Sequence, residues 1–332
     1  MTWRTGLFLF LLLAGPASAQ TLPPPQPSAA RGEGAGERWT AGPAMPTARS
    51  ELAAAVSDGR LYVGGGLLRS NVSESFEVFD INQRSWRRLS PLPVALHHLG
   101  MAAFDGGIFV SGGYNTMVFL ANQRGFWRYD TRRGGWDRLP DLPLARAAHA
   151  LVEAGGRLYV IGGVGPEPAR VLVFDPRGRI WLPSPAPLPT LREHVTASEF
   201  GGRIFVAGGR DGSRNLATLE IFDPQANRWT KGRDMAGARS GHTAAFVAGK
   251  LHVAGGEGFD SLDPFTSHEI YDPQTDSWSA GPPMPRAKHG LASAAFQSRW
   301  YVIGGATGAM ALTYQSLTDT LEILETAPPK IN

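Results

Sequence analysis

The stretch RLYVIGG at residues 157–163 decides the fold, because a run of this kind occurs six times in the chain. In each copy an apolar run ends in two glycines, and the pairs are Gly65-Gly66, Gly112-Gly113, Gly162-Gly163, Gly208-Gly209, Gly255-Gly256 and Gly304-Gly305. Successive pairs are 47, 50, 46, 47 and 49 residues apart. A period in this range indicates a repeated supersecondary unit that buries its faces only against its neighbours.

A tryptophan recurs with the same period, at Trp39, Trp86, Trp136, Trp181, Trp229 and Trp278. Between each glycine pair and the next tryptophan lies a strand-like segment that ends at a turn, as in EIFDP at residues 220–224. A proline-rich corner, such as Pro282-Pro283-Met284-Pro285, and then a stretch of small residues follow the tryptophans. Each repeat therefore predicts four short strands, which we name a (small residues), b (ending at the glycine pair), c (ending at the turn) and d (starting at tryptophan).

The glycine pair, the aromatic residue shortly before it and the later tryptophan resemble the kelch repeat. The resemblance covers about residues 37–327 and implies an all-β, six-bladed kelch-type β-propeller. The last repeat, ending near Leu324, has no tryptophan strand after it, whereas Glu37-Arg38-Trp39-Thr40 precedes the first strand a. We therefore predict that the N-terminal strand completes the last blade as its strand d, which protects the sheet edges.

The segments outside the repeats carry different signals. Residues 1–19 combine Arg4, a short apolar run and the small-residue site Ala17-Ser18-Ala19, which predicts a signal peptide too short to span a bilayer. Residues 20–36 are rich in proline and glycine and predict a disordered linker. Residues 328–332 form a C-terminal tail. We expect an exported protein, in a periplasm or outside the cell, with no membrane span.

Composition excludes several function classes. The chain has 32 Lys and Arg against 29 Asp and Glu, for a net charge of +3, and no basic run that would bind nucleic acid. It contains no cysteine, so disulfides cannot form. Galactose-oxidase-like copper radical enzymes need a cysteine cross-linked to a tyrosine, so the resemblance does not extend to that chemistry. We expect no cofactor and a monomer.

The candidate site lies where two loop classes surround one mouth of the channel that a propeller implies. These are the d–a loops, which start at the proline-rich corners, and the b–c loops, which follow the glycine pairs. Cations and histidines recur at fixed positions of the d–a loops. The candidate ligand-binding residues are Arg49, Glu51, His97, His98, Arg146, His149, Arg192, Glu193, His194, Arg239, His242, Lys288 and His289. Aromatic candidates for the rim are Tyr114, Phe119, Phe259, Phe265 and Tyr314.

The same residues can have a structural role instead of a ligand-binding role. The resemblance implies that such an arginine satisfies backbone carbonyls or pairs with a strand-c carboxylate, here Glu77, Glu220, Glu269 or Glu322. A ring of cations at the mouth would instead attract an anionic or polyhydroxylated ligand. No metal site is expected, because the histidines are distributed around a ring. Adjacent strand residues point to opposite faces, so Arg192, Glu193 and His194 are not expected to share one pocket.

Two functions remain open from the sequence. The first is a noncatalytic exported binding module that holds a glycan, an anionic small molecule or a protein on the loop-rich face. The alternative is a cofactor-independent carbohydrate-active enzyme, which the resemblance to exported kelch-based sialic-acid mutarotases implies, with acid–base groups among the d–a residues. No catalytic residue is assigned.

Overall fold

The computed structural model describes residues 37–259 and 263–326. The predicted signal peptide, linker and C-terminal tail lie outside these residues and stay predictions. The described part contains 24 β-strands and one 3-10 helix, Met310–Gln315, and no α-helix. Across the same residues no helix has the length and apolar character needed to cross a membrane.

The strands form six four-stranded antiparallel sheets. In chain order they are β1 (Arg38–Ala41), β2 (Ala53–Ser57), β3 (Arg60–Gly64), β4 (Phe76–Asp80), β5 (Ser85–Arg88), β6 (Gly100–Phe104), β7 (Gly107–Ser111), β8 (Phe126–Asp130), β9 (Gly135–Arg138), β10 (Ala150–Ala154), β11 (Arg157–Ile161), β12 (Leu172–Asp175), β13 (Ile180–Leu182), β14 (Thr196–Phe200), β15 (Arg203–Ala207), β16 (Leu219–Asp223), β17 (Arg228–Lys231), β18 (Thr243–Val247), β19 (Lys250–Ala254), β20 (His268–Asp272), β21 (Ser277–Ala280), β22 (Ala292–Phe296), β23 (Arg299–Ile303) and β24 (Leu321–Glu325). Blades 1 to 5 are consecutive groups of four from β2 to β21, so the predicted strands a to d are confirmed.

The sixth blade joins the two ends of the propeller. Strand β1 pairs antiparallel with β24, with Trp39 opposite Leu324, and the sheet order is β1-β24-β23-β22. The innermost strands contact one another in sequence, from β2 through β6, β10, β14 and β18 to β22, and β22 contacts β2. The six-bladed ring is therefore closed, and the predicted N-terminal closure is confirmed.

The repeated tryptophans tie neighbouring blades together. The indole Nε1 of Trp86 donates a hydrogen bond to the carbonyl oxygen of Pro43 in the preceding d–a loop, at 2.8 Å. The same contact recurs for Trp39, Trp136, Trp181, Trp229 and Trp278. Each ring also packs on an apolar neighbour, as Trp86 does on Phe79 at 5.1 Å between centroids. An aromatic body with a polar N–H suits this position, where a strand meets a loop.

The glycine pairs position the loops that form the mouth. Gly112 has φ +57°, and a Cβ there would overlap the carbonyl oxygen of Arg146 in the next blade. Gly113 donates its amide to that same oxygen at 2.8 Å. Only glycine allows both this backbone conformation and so close an approach. The pair therefore fixes the b–c loop of one blade against the d–a loop of the next.

Candidate functional site

Both loop classes lie at one end of the channel. The residue that follows each glycine pair forms a β-bridge with a d–a loop residue of the same blade. These bridges are Ser50↔Leu67, His97↔Tyr114, Ala147↔Val164, Glu193↔Arg210, Ser240↔Glu257 and His289↔Ala306. Each blade therefore contributes three residues to the mouth: one b–c residue, the d–a residue bridged to it, and the d–a residue that comes next in the chain.

One d–a position of each blade adopts left-handed backbone conformation, and we call these six residues the axial ring. They are Glu51, His98, Ala148, His194, Gly241 and Gly290, with φ from 52° to 61°. Backbone hydrogen bonds link them from blade to blade. The amide of His98 donates to the carbonyl of Glu51, that of Ala148 to His98, and that of His194 to Ala148, each at 2.9 Å. The positive φ takes these residues out of the strand alternation.

Three axial-ring side chains converge, and we call them the axial cluster: Glu51, His98 and His194. The Nε2 atoms of His98 and His194 are 2.9 Å apart. Oε2 of Glu51 lies 3.2 Å from His98 Nε2, and one potential ligand atom from each residue lies within 4.8 Å of the others. The three side chains are 12%, 4% and 9% exposed, in the order given. Blades 1, 2 and 4 thus place one acid and two bases together.

Charged residues of blades 4, 5 and 6 extend the cluster. The Glu193 carboxylate contacts both His194 Nδ1 and Arg210 Nε. Nη1 of Arg210 lies 3.4 Å from Glu257 Oε1, and Nδ1 of His289 lies 3.3 Å from Glu257 Oε2. The expectation that neighbouring residues cannot share a pocket fails for Glu193 and His194, because His194 has positive φ and lies before β14. Arg192 does point away.

The environment moves the pKa values of two of the mouth carboxylates, Glu51 and Glu193, in opposite directions. Burial is the largest influence on Glu51 and raises its pKa, although His194 and His289 oppose the rise. Burial also favours a raised pKa for Glu193, but His194 and Arg210 outweigh it and lower that pKa to about 2. Burial holds the pKa of His98 well below its ordinary value. The mouth therefore keeps Glu193 ionised and His98 neutral at neutral pH.

The five predicted cations lie inside the blades. Four of them pair with the strand-c carboxylates: Arg49–Glu77 at 2.9 Å, Arg192–Glu220 at 2.8 Å, Arg239–Glu269 at 2.5 Å and Lys288–Glu322 at 2.9 Å. The fifth, Arg146, donates to the carbonyl oxygens of Ala145, Glu167 and Arg170. All five are 0–2% exposed. Their geometry matches the structural reading, and the binding role predicted for them has no exposed guanidinium or ammonium group to support it.

Blade 2 shows what replaces the ion pair. It carries Leu96 at the cation position and Trp127 at the carboxylate position. Both side chains are buried in one apolar cluster, 0% and 4% exposed. Blade 2 thus replaces both members of the pair, whereas blade 3 keeps Arg146 with Leu172 at the carboxylate position and satisfies the guanidinium with backbone carbonyls, because a buried charge needs a partner.

The remaining predicted histidines divide between the mouth and the blade interfaces. His149 and His242 lie between blades, where their Nε2 atoms are 2.8 Å from Ser111 Oγ and 3.1 Å from Thr196 Oγ1. Burial lowers the pKa of each to about 3. His97 instead lies at the mouth, with its ring 5.1 Å from that of Phe119.

Sequence reasoning missed Arg210 and Glu257. Each directly follows a glycine pair, at a position where the other blades carry Leu67, Tyr114, Val164 and Ala306. A charged residue at that otherwise uncharged position was the available signal. With Glu51 and Glu193, these residues give the mouth three carboxylates and one guanidinium, so the expected cationic mouth is not what the described residues form.

Comparisons with known proteins agree with this architecture. The family described as "KLHDC2/KLHL20/DRC7 Kelch-repeats domain" matches residues 98–305, and the Kelch motif matches residues 48–93. Kelch-like protein 35 of Mus musculus is 29% identical over 225 residues, which are 66% of this chain and 37% of that protein. Kelch-like protein 25 of Xenopus tropicalis is 27% identical over 223 residues, which are 64% of this chain and 37% of that protein.

The matched region thus spans little more than a third of the length of these relatives. A solved structure described as "Structure of YjhT" superposes with a TM-score of 0.73, covering 86% of this chain and 99% of that one at 16% identity. At that identity the likeness concerns the fold alone. With the family match over most of the propeller, the chain belongs to the kelch-repeat family.

Proposed function

We propose that the protein is an exported, noncatalytic binding module that holds a polypeptide partner on its loop-rich face. Membership of the kelch-repeat family supports an interaction function. The export part of the proposal rests on residues 1–19, whose charged start, apolar run and small-residue site are typical of a signal peptide.

One observation carries the choice of a polypeptide. Two b–c loops raise apolar side chains into solvent beside the mouth. In blade 2 these are Val118, Phe119 and Leu120, which are 58%, 45% and 84% exposed, and in blade 6 they are Met310 and Leu312, at 58% and 44%. Exposed apolar residues clustered around a polar centre are typical of protein interaction sites.

A groove adds a second contact area on the same face. It lies between the b–c loops of blades 1 and 6 and has a volume of about 400 Å³. Its lining mixes Leu68, Tyr314 and Leu317 with Arg69 and Asn71. Apolar and hydrogen-bonding groups in one groove suit an extended peptide. The carboxylates at the mouth disfavour an anionic ligand, so we do not carry that part of the hypothesis forward.

A peptide-display selection on the immobilised mature protein tests the proposal. We expect the selected peptides to bind at least about 10-fold more weakly to the F119S/L120S variant, because apolar anchors carry most interface affinity. Ile180→Ser is the matched control, since Ile180 is 53% exposed and lies at the opposite end of blade 3. Equal loss in both variants, or no loss in F119S/L120S, would overturn the proposal.

The alternative function, carbohydrate acid–base catalysis, is favoured by the opposed pKa shifts of Glu51 and Glu193. Two carboxylates whose pKa values are moved apart can serve as an acid and a base. Anomer exchange of neutral sugars and sugar acids, followed by NMR, tests it. Catalysis that is lost in E193Q would replace the noncatalytic proposal, and exchange at the uncatalysed rate for all of the sugars would remove the alternative.

A further inference from the structure

We propose that Glu51, His98 and His194 bind one divalent first-row transition-metal ion, such as Zn²⁺, on the channel axis. Two imidazole nitrogens and one carboxylate oxygen are a ligand set that such ions prefer. This site goes beyond polypeptide binding, and its test needs no partner.

The hydrogen bonds around His98 fix its tautomer. Nε2 of His97 lies 2.8 Å from the carbonyl oxygen of Thr116, which only accepts, so this Nε2 carries the proton. In the neutral His97 ring, Nδ1 is then the unprotonated nitrogen and can only accept. Nδ1 of His98 lies 2.6 Å from that acceptor and must donate to it. Nε2 of neutral His98 therefore carries a lone pair, which faces the axis.

The tautomer of His194 follows in the same way. Its Nδ1 contacts the carboxylate of Glu193, whose other oxygen accepts from Arg210 Nε, so Nδ1 of His194 is the donor and carries the proton. In the neutral ring Nε2 is then unprotonated. Among the described residues, Nη2 of Arg210 is the donor that approaches this Nε2, at the long distance of 3.4 Å. A second imidazole lone pair therefore faces the axis.

When Glu51 is ionised, three electron-rich atoms thus meet without a hydrogen between them. The two Nε2 atoms are 2.9 Å apart, and Oε2 of Glu51 is 3.2 Å from His98 Nε2. Lone pairs at such distances repel one another unless a cation lies among them. That cation is either a proton held between the two imidazoles or a metal ion.

The geometry fits a metal ion after small movements. Zinc binds imidazole nitrogen at about 2.0–2.1 Å in a tetrahedron, which places ligand atoms about 3.3 Å apart. The two measured separations, 2.9 Å and 3.2 Å, need to widen by only a few tenths of an ångström. The third separation, between the Glu51 oxygen and His194 Nε2, is at most 4.8 Å and has to shorten toward about 3.3 Å, by at most about 1.5 Å. Three protein ligands leave one coordination position for water or a ligand group.

The surrounding residues support the ligands and the charge. Metal-binding histidines usually donate their second N–H to a carboxylate or another acceptor, and here Glu193 and His97 accept from His194 and His98. The carboxylates of Glu51, Glu193 and Glu257, when ionised, exceed the guanidinium of Arg210 by two charges, which a divalent ion would balance. Arg210 retains Glu193 and Glu257 as partners when a metal takes the His194 lone pair.

The sequence predicted no metal site because its histidines are spread around a ring. His98 and His194 belong to different blades but occupy equivalent axial-ring positions, so a distribution around the ring still brings these two histidines together. Positive φ at both positions directs the rings across the channel instead of along it.

Metal titration of the full, untagged, chelator-treated protein tests the proposal. Calorimetry with Zn²⁺ should give one site per chain, and Co²⁺ should give the visible absorption of a nitrogen- and oxygen-ligated ion. We expect Zn²⁺ to bind at least about 100-fold more weakly to E51Q and H194Q, and about 10- to 100-fold more weakly to E193Q. His242→Gln is the matched control, because that histidine is buried between blades and should leave affinity unchanged.

Glycine variants keep the test decisive if the first set of variants fails to fold. Glu51→Gly and His194→Gly install the residue that blades 5 and 6 already carry at this axial-ring position, so both variants should fold and lose the metal. The proposal is overturned if wild-type protein binds Zn²⁺ no more tightly than H194G. The axial cluster would then hold a shared proton, and its histidine protons should appear in NMR spectra of the metal-free protein.

Discussion

Replacing Glu77 with Gln should destabilise the propeller more than the equivalent change in blade 4. Arg49 is fully buried and donates from Nη2 to Glu77 at 2.9 Å and to the Met45 sulfur. Its Nε and Nη1 find no partner among the described residues. Removing the carboxylate charge therefore leaves a buried guanidinium almost uncompensated, which costs about 3–5 kcal/mol of the free energy of unfolding.

Blade 4 provides the matched comparison. Arg192 donates not only to Glu220 but also to the carbonyl oxygens of Thr218 and Val206, at 3.1 Å and 3.2 Å. These two acceptors remain in the E220Q variant. Since hydrogen bonds to charged groups contribute about 1.5–3 kcal/mol each, E220Q should be less destabilising than E77Q by about 1–2 kcal/mol.

Urea unfolding followed by tryptophan fluorescence measures both variants against wild type. The double variant R49L/E77L should recover most of the E77Q loss, because blade 2 packs Leu96 and Trp127 in the same place without charges. The reasoning is refuted if E77Q lies within about 1 kcal/mol of wild type, or if E220Q is the less stable of the two.

Three further predictions concern pH, glycine geometry and ring closure. Burial lowers the pKa of His149 from 6.5 to about 3, so the stabilising contribution of this histidine is complete above pH 6.5 and falls as the pH drops. Between pH 7 and pH 5, the free energy of unfolding in urea should fall by about 2 kcal/mol less in H149Q than in wild type. An equal loss in both proteins would contradict this. Gly112→Ala should lower the free energy of unfolding by more than about 3 kcal/mol or prevent folding, because of the clash with the Arg146 carbonyl. Gly155 also has positive φ but open space around it, so Gly155→Ala should cost about 1 kcal/mol in thermal unfolding. Similar costs for the two variants would argue against the backbone clash. Trp39→Ala should lower the free energy of unfolding by about 3 kcal/mol and increase the rate at which a protease cleaves near β1. An unchanged cleavage rate would show that the backbone hydrogen bonds between β1 and β24 hold the strand without the indole.

The fold could be predicted because its determinants recur. Six glycine pairs, six tryptophans and the turn segments all repeat at one period, so an error in one repeat is corrected by the other five. The missing tryptophan after Leu324 and the extra one at Trp39 left a single way to complete the sixth blade. Strand pairing between β1 and β24 confirms it.

The site was less predictable because strand rules do not apply on the axis. Spacing from the glycine pairs correctly located the d–a loops, but it treated the buried cations and the mouth residues as one set. Separating them requires the backbone: Arg192 packs into its blade toward Glu220, and two residues later His194 crosses the channel toward His98. Contacts between different blades depend on the ring, which no single repeat encodes.

Backbone strain on the axial ring separates the residues needed for the fold from those that serve the site. The left-handed conformation costs a non-glycine residue roughly 1 kcal/mol, and glycine adopts it freely. Gly241 and Gly290 show that the ring accepts the unstrained residue, and Ala148 is its one strained member without an ionisable group. The fold alone therefore gives no reason for a β-carbon at Glu51, His98 and His194, where each side chain adds strain. The three strained positions with ionisable groups are also the three whose ligand atoms converge. Strain that coincides with convergence favours a role in binding over a role in folding.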